Sequence, residues 1–226
     1  AWISEKEEQR SKEMEDRSSI SVAFCGNSML YFNDTPRLIQ QMLQLSYKTV
    51  NQSSCLRGGA KLTSLFRKGN GMAEKFATAQ ALKSLGPSTI ASGSLHDTGA
   101  PTVQELLEST TWDFVVLNDY TQAPARPDSA AKSVAALKER YAPLLKKSVA
   151  ILVQTPAYRL TDINDSEDLG DFDTFSDRLA DGLATYKSTL ESVGVQARIA
   201  PVGEAFRNIF RTNKSLFNKL YSWDSF

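Results

Sequence analysis

The sequence holds one histidine, His96, two cysteines, Cys25 and Cys55, and no apolar run approaching the roughly 20 residues that a membrane-spanning helix needs. Two cysteines exclude a disulfide framework and a four-cysteine zinc site; two buried free thiols are expected, with a bridge open if their strands are neighbours. No charge of one sign dominates: 26 Lys and Arg stand against 26 Asp and Glu, so nucleic acid and an acidic membrane surface are not expected partners. The amino end has no signal-peptide pattern, although a chain that begins at Ala1 is compatible with a removed leader. Neither Gly-x-Gly-x-x-Gly nor Gly-x-x-x-x-Gly-Lys-Ser follows the first apolar run, which disfavours a nucleotide or flavin site. Internal repeats and interdomain linkers are missing too. The acidic stretch 162–173 lacks the glycine and terminal glutamate of a calcium loop and reads as solvated.

What remains fits one α/β core. Residues 1–19 are nearly all charged or small and polar, a lead-in with no apolar face to bury, and 20–226 read as a single domain. Strands are expected at 21–25, 47–56, 112–117, 149–154 and 195–200, the second polar enough for a sheet edge. Between them, 36–45 carries Leu38, Ile39, Met42 and Leu45 at helical spacing, and 72–85 is helical until Gly86-Pro87. Further helices are expected over 103–109, from an Asp128-Ser129 cap through Tyr141 with Pro143 kinking or ending it, from Phe175 to Val193 before Gly194, and over 203–210. Alternation of this kind argues for a parallel sheet covered by helices on both faces.

Polar residues recur where the strands end. Val22-Ala23-Phe24-Cys25 runs into Gly26-Asn27-Ser28, the second strand into Arg57-Gly58-Gly59-Ala60, and the third into Asn118-Asp119-Tyr120. Open α/β sheets place ligands at those ends, and a serine there is either a nucleophile or a turn residue. His96, in a Gly/Ser/Thr-rich stretch beside Asp97 and Gly99, reads as a loop residue. Asn-x-Ser/Thr patterns at Asn33, Asn51, Asn164 and Asn213 lean toward a secretory or extracellular protein.

In order and position these features resemble the SGNH hydrolases, the GDSL esterase/lipase family. Gly26-Asn27-Ser28 looks like the first block, Gly58-Gly59 the glycine of the second, and Leu117-Asn118-Asp119 the end of the third. Trp112-Asp113-Phe114-Val115-Val116 and the run from Ala200 to Phe206 are similar to further family stretches. The resemblance covers about residue 20 onward. It implies a three-layer α/β/α fold with a five-stranded parallel sheet in flavodoxin-like strand order. It further implies an esterase with Ser28 as nucleophile, Asp224 as the orienting carboxylate, and an oxyanion hole from the Ser28 N–H, the Gly59 N–H and the Asn118 amide. Gly58 is the fallback donor, and Asn27, Gly58 and Tyr120 are expected against the substrate.

Two departures stand out. Asn27 occupies a position where the family usually has aspartate. The last block, Asp-x-x-His, reaches only Asp224-Ser225-Phe226, so the base histidine is expected just past residue 226 and the domain is read as truncated there. Implied partners are a carbohydrate, lipid or small ester, with no metal and no cofactor. The runner-up is a non-catalytic carbohydrate- or acyl-binding module on the same scaffold. Phe32, Tyr120, Tyr158 and Phe226 are aromatic candidates for a pocket, or else ordinary core.

Overall fold

The computed structural model describes residues 19–31, 34–66, 102–159 and 167–220. Expectations for Phe32, Asn33, the 72–85 helix, His96, Asn164, Asp224 and Phe226 lie outside the described residues. In chain order the elements are β1 (Ser19–Gly26), α1 (Ser28–Tyr31), α2 (Thr35–Leu43), β2 (Thr49–Leu56), α3 (Leu62–Leu65), α4 (Val103–Glu108) and β3 (Phe114–Leu117). Then come α5 (Pro127–Ala136), a π-helical turn (Leu137–Tyr141), α6 (Ala142–Leu145), β4 (Val149–Val153) and a 3-10 turn (Glu167–Leu169). The chain continues through α7 (Phe172–Ser192), β5 (Gln196–Ala200), α8 (Val202–Thr212) and α9 (Lys214–Leu220).

The five strands form one all-parallel sheet in the order β2-β1-β3-β4-β5, with polar β2 at an edge. Period-two alternation divides the strand side chains between two cores. Ala23, Cys25, Cys55, Val115, Leu117, Ala150 and Leu152 meet α4, α5, α6 and α7 on one face. Ile20, Val22, Phe24, Val50, Leu56 and Val116 meet Leu30 of α1 and Ile39 and Leu43 of α2 on the other. Each large side chain buried this way contributes about 1.5–3 kcal/mol. A third cluster, Tyr158 and Phe172, Phe175 and Leu179 with Phe217, joins the start of α7 to α8 and α9.

Cys25 and Cys55 are partners in the β1–β2 register and both are buried free thiols. Burial pushes the Cys55 thiol up to about 12 and raises Cys25 well above its ordinary value.

Two local expectations are corrected, and one helix is added. The α5 helix starts at Pro127 rather than at an Asp128-Ser129 cap. Proline's fixed φ and missing N–H suit a first helical position, and extended Arg126 before it is the N-cap, without a side-chain cap bond. Of the two outcomes expected at Pro143, a kink or an end, the end does not occur. The π-helical turn absorbs the proline: the Ala142 N–H reaches Leu137 O, five residues back, and α6 continues through Pro143. Finally, α9 was not foreseen; its signal is Asn213, whose Oδ1 accepts the Leu216 N–H at 3.0 Å.

Candidate functional site

Adjacent strands deliver the candidate residues to one rim. Gly26 pairs with Leu56 across β1–β2 and Cys25 with Leu117 across β1–β3, so Asn27-Ser28, Arg57 to Gly59 and Asn118 leave the sheet side by side at its carboxyl edge. Ser28 opens α1 and is half-buried. Gly58 and Gly59 form an exposed turn in which Gly59 takes φ 63°, a left-handed conformation that glycine adopts without strain. Gly26 allows the close approach of β1 and β3: a Cβ there would lie 2.8 Å from Asn118 Cβ and 2.8 Å from Leu30 Cδ1.

Behind this rim lies a buried hydrogen-bonded network. Asn27, 2% exposed, donates from Nδ2 to Ala60 O and to Asp119 O, both at 3.0 Å, and accepts the Met29 N–H on Oδ1 at 3.1 Å. The sequence reading sets Asn27 against substrate; its amide instead points into the protein and joins three loops. Asn118, 1% exposed, accepts the Asn27 N–H on Oδ1 at 3.3 Å and donates from Nδ2 to Asp119 O at 2.9 Å. These bonds fix which end of the amide is which. An amide nitrogen carries two N–H groups, and among the described residues the second has no protein acceptor.

Asp119 is the member whose importance the sequence does not disclose. Its buried carboxylate takes four donors: Leu62 N at 2.9 Å and Tyr120 N at 2.8 Å on Oδ1, Ser133 Oγ at 2.7 Å and Tyr186 Oη at 2.9 Å on Oδ2. Burial, then the Asp119 charge, raises the Tyr186 phenol well above its ordinary range. Tyr141, in the π-helical turn, donates to Leu62 O at 2.9 Å. An apolar strand ending in Asn-Asp is the visible signal; Leu62, Ser133 and Tyr186 as partners are not, because they lie far away in sequence.

Tyr120 is half-buried, with the Lys61 ammonium 5.9 Å from its ring centroid. Tyr158 is core, edge-on to Phe175 at 5.5 Å, and burial followed by Tyr120 pushes its phenol up to about 12. Farther along, Arg126 pairs with Asp168 at 2.8 Å and bonds Gln122, and the Asp168 side chain stays 57% exposed, as expected for a solvated acidic stretch. The enclosed cavity behind Asp119, about 10 Å³, has room for one water and is no substrate pocket. Among the described residues no cluster of His, Cys, Asp or Glu could hold a metal, and no helix is long and apolar enough to cross a membrane.

Comparison with solved structures gives the fold a class. A "putative SGNH hydrolase" from Slackia heliotrinireducens is similar over 84% of this chain and 83% of its own, at TM-score 0.56 and 22% identity. A DUF4886 family protein from Bacteroides uniformis is similar over 84% of this chain and 70% of its own, at TM-score 0.57 and 16% identity. The chain thus has an SGNH hydrolase-like fold. No family model and no curated protein matches its sequence.

Proposed function

We propose that the protein is a serine ester hydrolase acting through an acyl-enzyme on an acyl or acetyl ester of a carbohydrate, lipid or small molecule. The observation that carries this reading is the delivery of Ser28, the Gly58-Gly59 turn and the Asn118 amide, one N–H of which has no acceptor among the described residues, to three neighbouring strand ends. Ser28 Oγ would attack the ester carbonyl carbon as a base takes its proton. The carbonyl oxygen, now negative, would lie among the Ser28 N–H, the Gly59 N–H and Asn118 Nδ2. Collapse breaks the bond to the alcohol, which leaves with the proton from the base, and water then releases the acid by the same steps. Asp224 would orient the base, for which the family pattern calls for histidine.

Fixed donors at the developing oxyanion are commonly the largest single rate effect, and losing one costs on the order of a hundredfold in turnover. Asn118→Ala is therefore expected to lower kcat on p-nitrophenyl acetate by about that factor. The decisive comparison uses the chain carried on past Phe226, with and without Ser28→Ala, for both turnover and labelling by a fluorophosphonate probe. Labelling that depends on Ser28 supports the esterase. Equal turnover in the two chains, with no labelling, ends it.

A further inference from the structure

The proposed oxyanion donors sit on three loops that meet only at the rim, and small displacements there are costly: a 1 Å misplacement can remove about a hundredfold in rate. Resting on the esterase reading above, we infer that Asn27 is the positioning residue that holds these loops in register, and that the position requires an amide rather than a carboxylate.

The loop after β2 is clamped at both ends of its glycine turn by consecutive residues of the β1 end. The Arg57 N–H donates to Gly26 O at 3.0 Å, and Ala60 O accepts from Asn27 Nδ2 at 3.0 Å. The same Nδ2 reaches Asp119 O at 3.0 Å, the oxygen that also receives Asn118 Nδ2 at 2.9 Å. One carbonyl thus aligns both amides. The Asn27 backbone N–H fixes Asn118 Oδ1 from the other side, and Asn27 Oδ1 holds the Met29 N–H just past Ser28. Every loop that carries a proposed donor is therefore bonded to Asn27.

The polarity of these bonds decides which side chain fits. Two carbonyl oxygens face Nδ2, and only a donor satisfies them. In Asn27→Asp an anionic oxygen would replace Nδ2 about 3 Å from both carbonyls in a buried position, on loops whose charged groups are Arg57, Lys61 and Asp119. The relief open to that carboxyl is to take up a proton, which restores one donor. Its defect should then shrink as pH falls.

The test compares Asn27, Asn27→Ala and Asn27→Asp in the chain carried on past Phe226, measuring p-nitrophenyl acetate kinetics from pH 5 to 8 and amide hydrogen exchange at Arg57, Ala60 and Leu62 at pH 7. At pH 8 the expected order of kcat is Asn, then Ala, then Asp, with Asp down on the order of a hundredfold and KM within about twofold. The ratio of Asp to wild-type activity should rise toward pH 5, and exchange at the three amides should accelerate while Val116 stays protected. If Asn27→Asp does not fold, Asn27→Ala carries the test through its tenfold or greater loss in kcat and faster loop exchange. Wild-type kcat in either variant, or unchanged loop exchange, overturns the inference. Faster loop exchange in a chain whose wild type cleaves no ester overturns the esterase reading and leaves the brace standing.

Discussion

Two regions of this molecule are stitched by polar side chains, and they are stitched differently. At the rim, Asn27, Asn118 and Asp119 are buried and bond mainly to backbone groups on other loops. At the seam between α7 and α8, Arg207 pairs with Asp173 at 2.8 Å and Asp177 at 2.6 Å, and Arg211 with Asp173 at 2.7 Å, but those carboxylates are 37% and 62% exposed. A buried polar group left without its partner costs about 1–3 kcal/mol, whereas an exposed ion pair contributes about 0.2–1 kcal/mol. At the seam the formal charges stand where water competes for them. Precision at the rim comes from amides and one carboxylate whose bonds are buried.

The strongest way to break the contrast is Asp119→Ala, which strips the acceptor from Leu62 N, Tyr120 N, Ser133 Oγ and Tyr186 Oη together. A loss of about 3–5 kcal/mol is expected in urea unfolding. Asp119→Asn should lose less than half as much, because its oxygen still serves Leu62 and Tyr120 and both hydroxyls can turn to accept. Next in size is Gly26→Ala. Its new methyl would lie 2.8 Å from Asn118 Cβ, inside any normal contact, so about 1–3 kcal/mol is expected from overpacking. Since Asn118 must shift, fluorophosphonate labelling of Ser28 should slow as well; unchanged labelling would mean that the rim tolerates displacement.

High pH should act on the buried side first. The phenols of Tyr141, Tyr158 and Tyr186 and the thiols of Cys25 and Cys55 are all raised, chiefly by burial, Tyr158 and Cys55 to about 12. Raised folded values make the unfolded chain release these protons first. Their contribution is thus whole below the ordinary thiol and phenol values, near 9 and 10, and drains away as pH climbs toward the folded ones. Each group contributes a slope of at most about 1.4 kcal/mol per pH unit. Melting temperature scanned from pH 8 to 11 should fall, and less steeply in Tyr158→Phe.

The fold was largely legible because buried parallel strands leave unmistakable apolar runs. Val115 to Leu117 and Val149 to Val153 permit little else, and strand and helix alternation then sets the sheet. The ends of the runs were legible too: Ser28, Gly58-Gly59 and Asn118 leave neighbouring strands. What stayed hidden depends on pairings between distant residues. Whether Asn27 faces substrate or protein is decided by Ala60 O and Asp119 O, and that Asp119 is a hub is decided by Ser133 and Tyr186, on helices packed 14 and 67 residues later. The π-helical turn ahead of Pro143 was invisible for a related reason: a proline signals that a helical bond is lost, and tertiary packing determines how the helix recovers.

The smallest effect tests the other half of the contrast. Asp173 is held below the usual carboxylate range, first by its hydrogen bond from Arg207 and then by Arg211. With the folded value depressed, its contribution is present above the unfolded value near 4 and is lost as pH falls through the folded one. Asp173→Asn should therefore cost no more than about 1 kcal/mol at pH 7 and low salt. The difference from wild type should fade in about 0.5 M salt, where the screening length is only a few ångströms. It should also fade in acid, below the unfolded value near 4, as the wild-type carboxyl takes up its proton. A loss above about 2 kcal/mol that ignores salt would mean that Arg207, with its guanidinium largely buried, draws on the same buried environment as the rim, and that exposure of the partner carboxylates does not mark the boundary between the two regions.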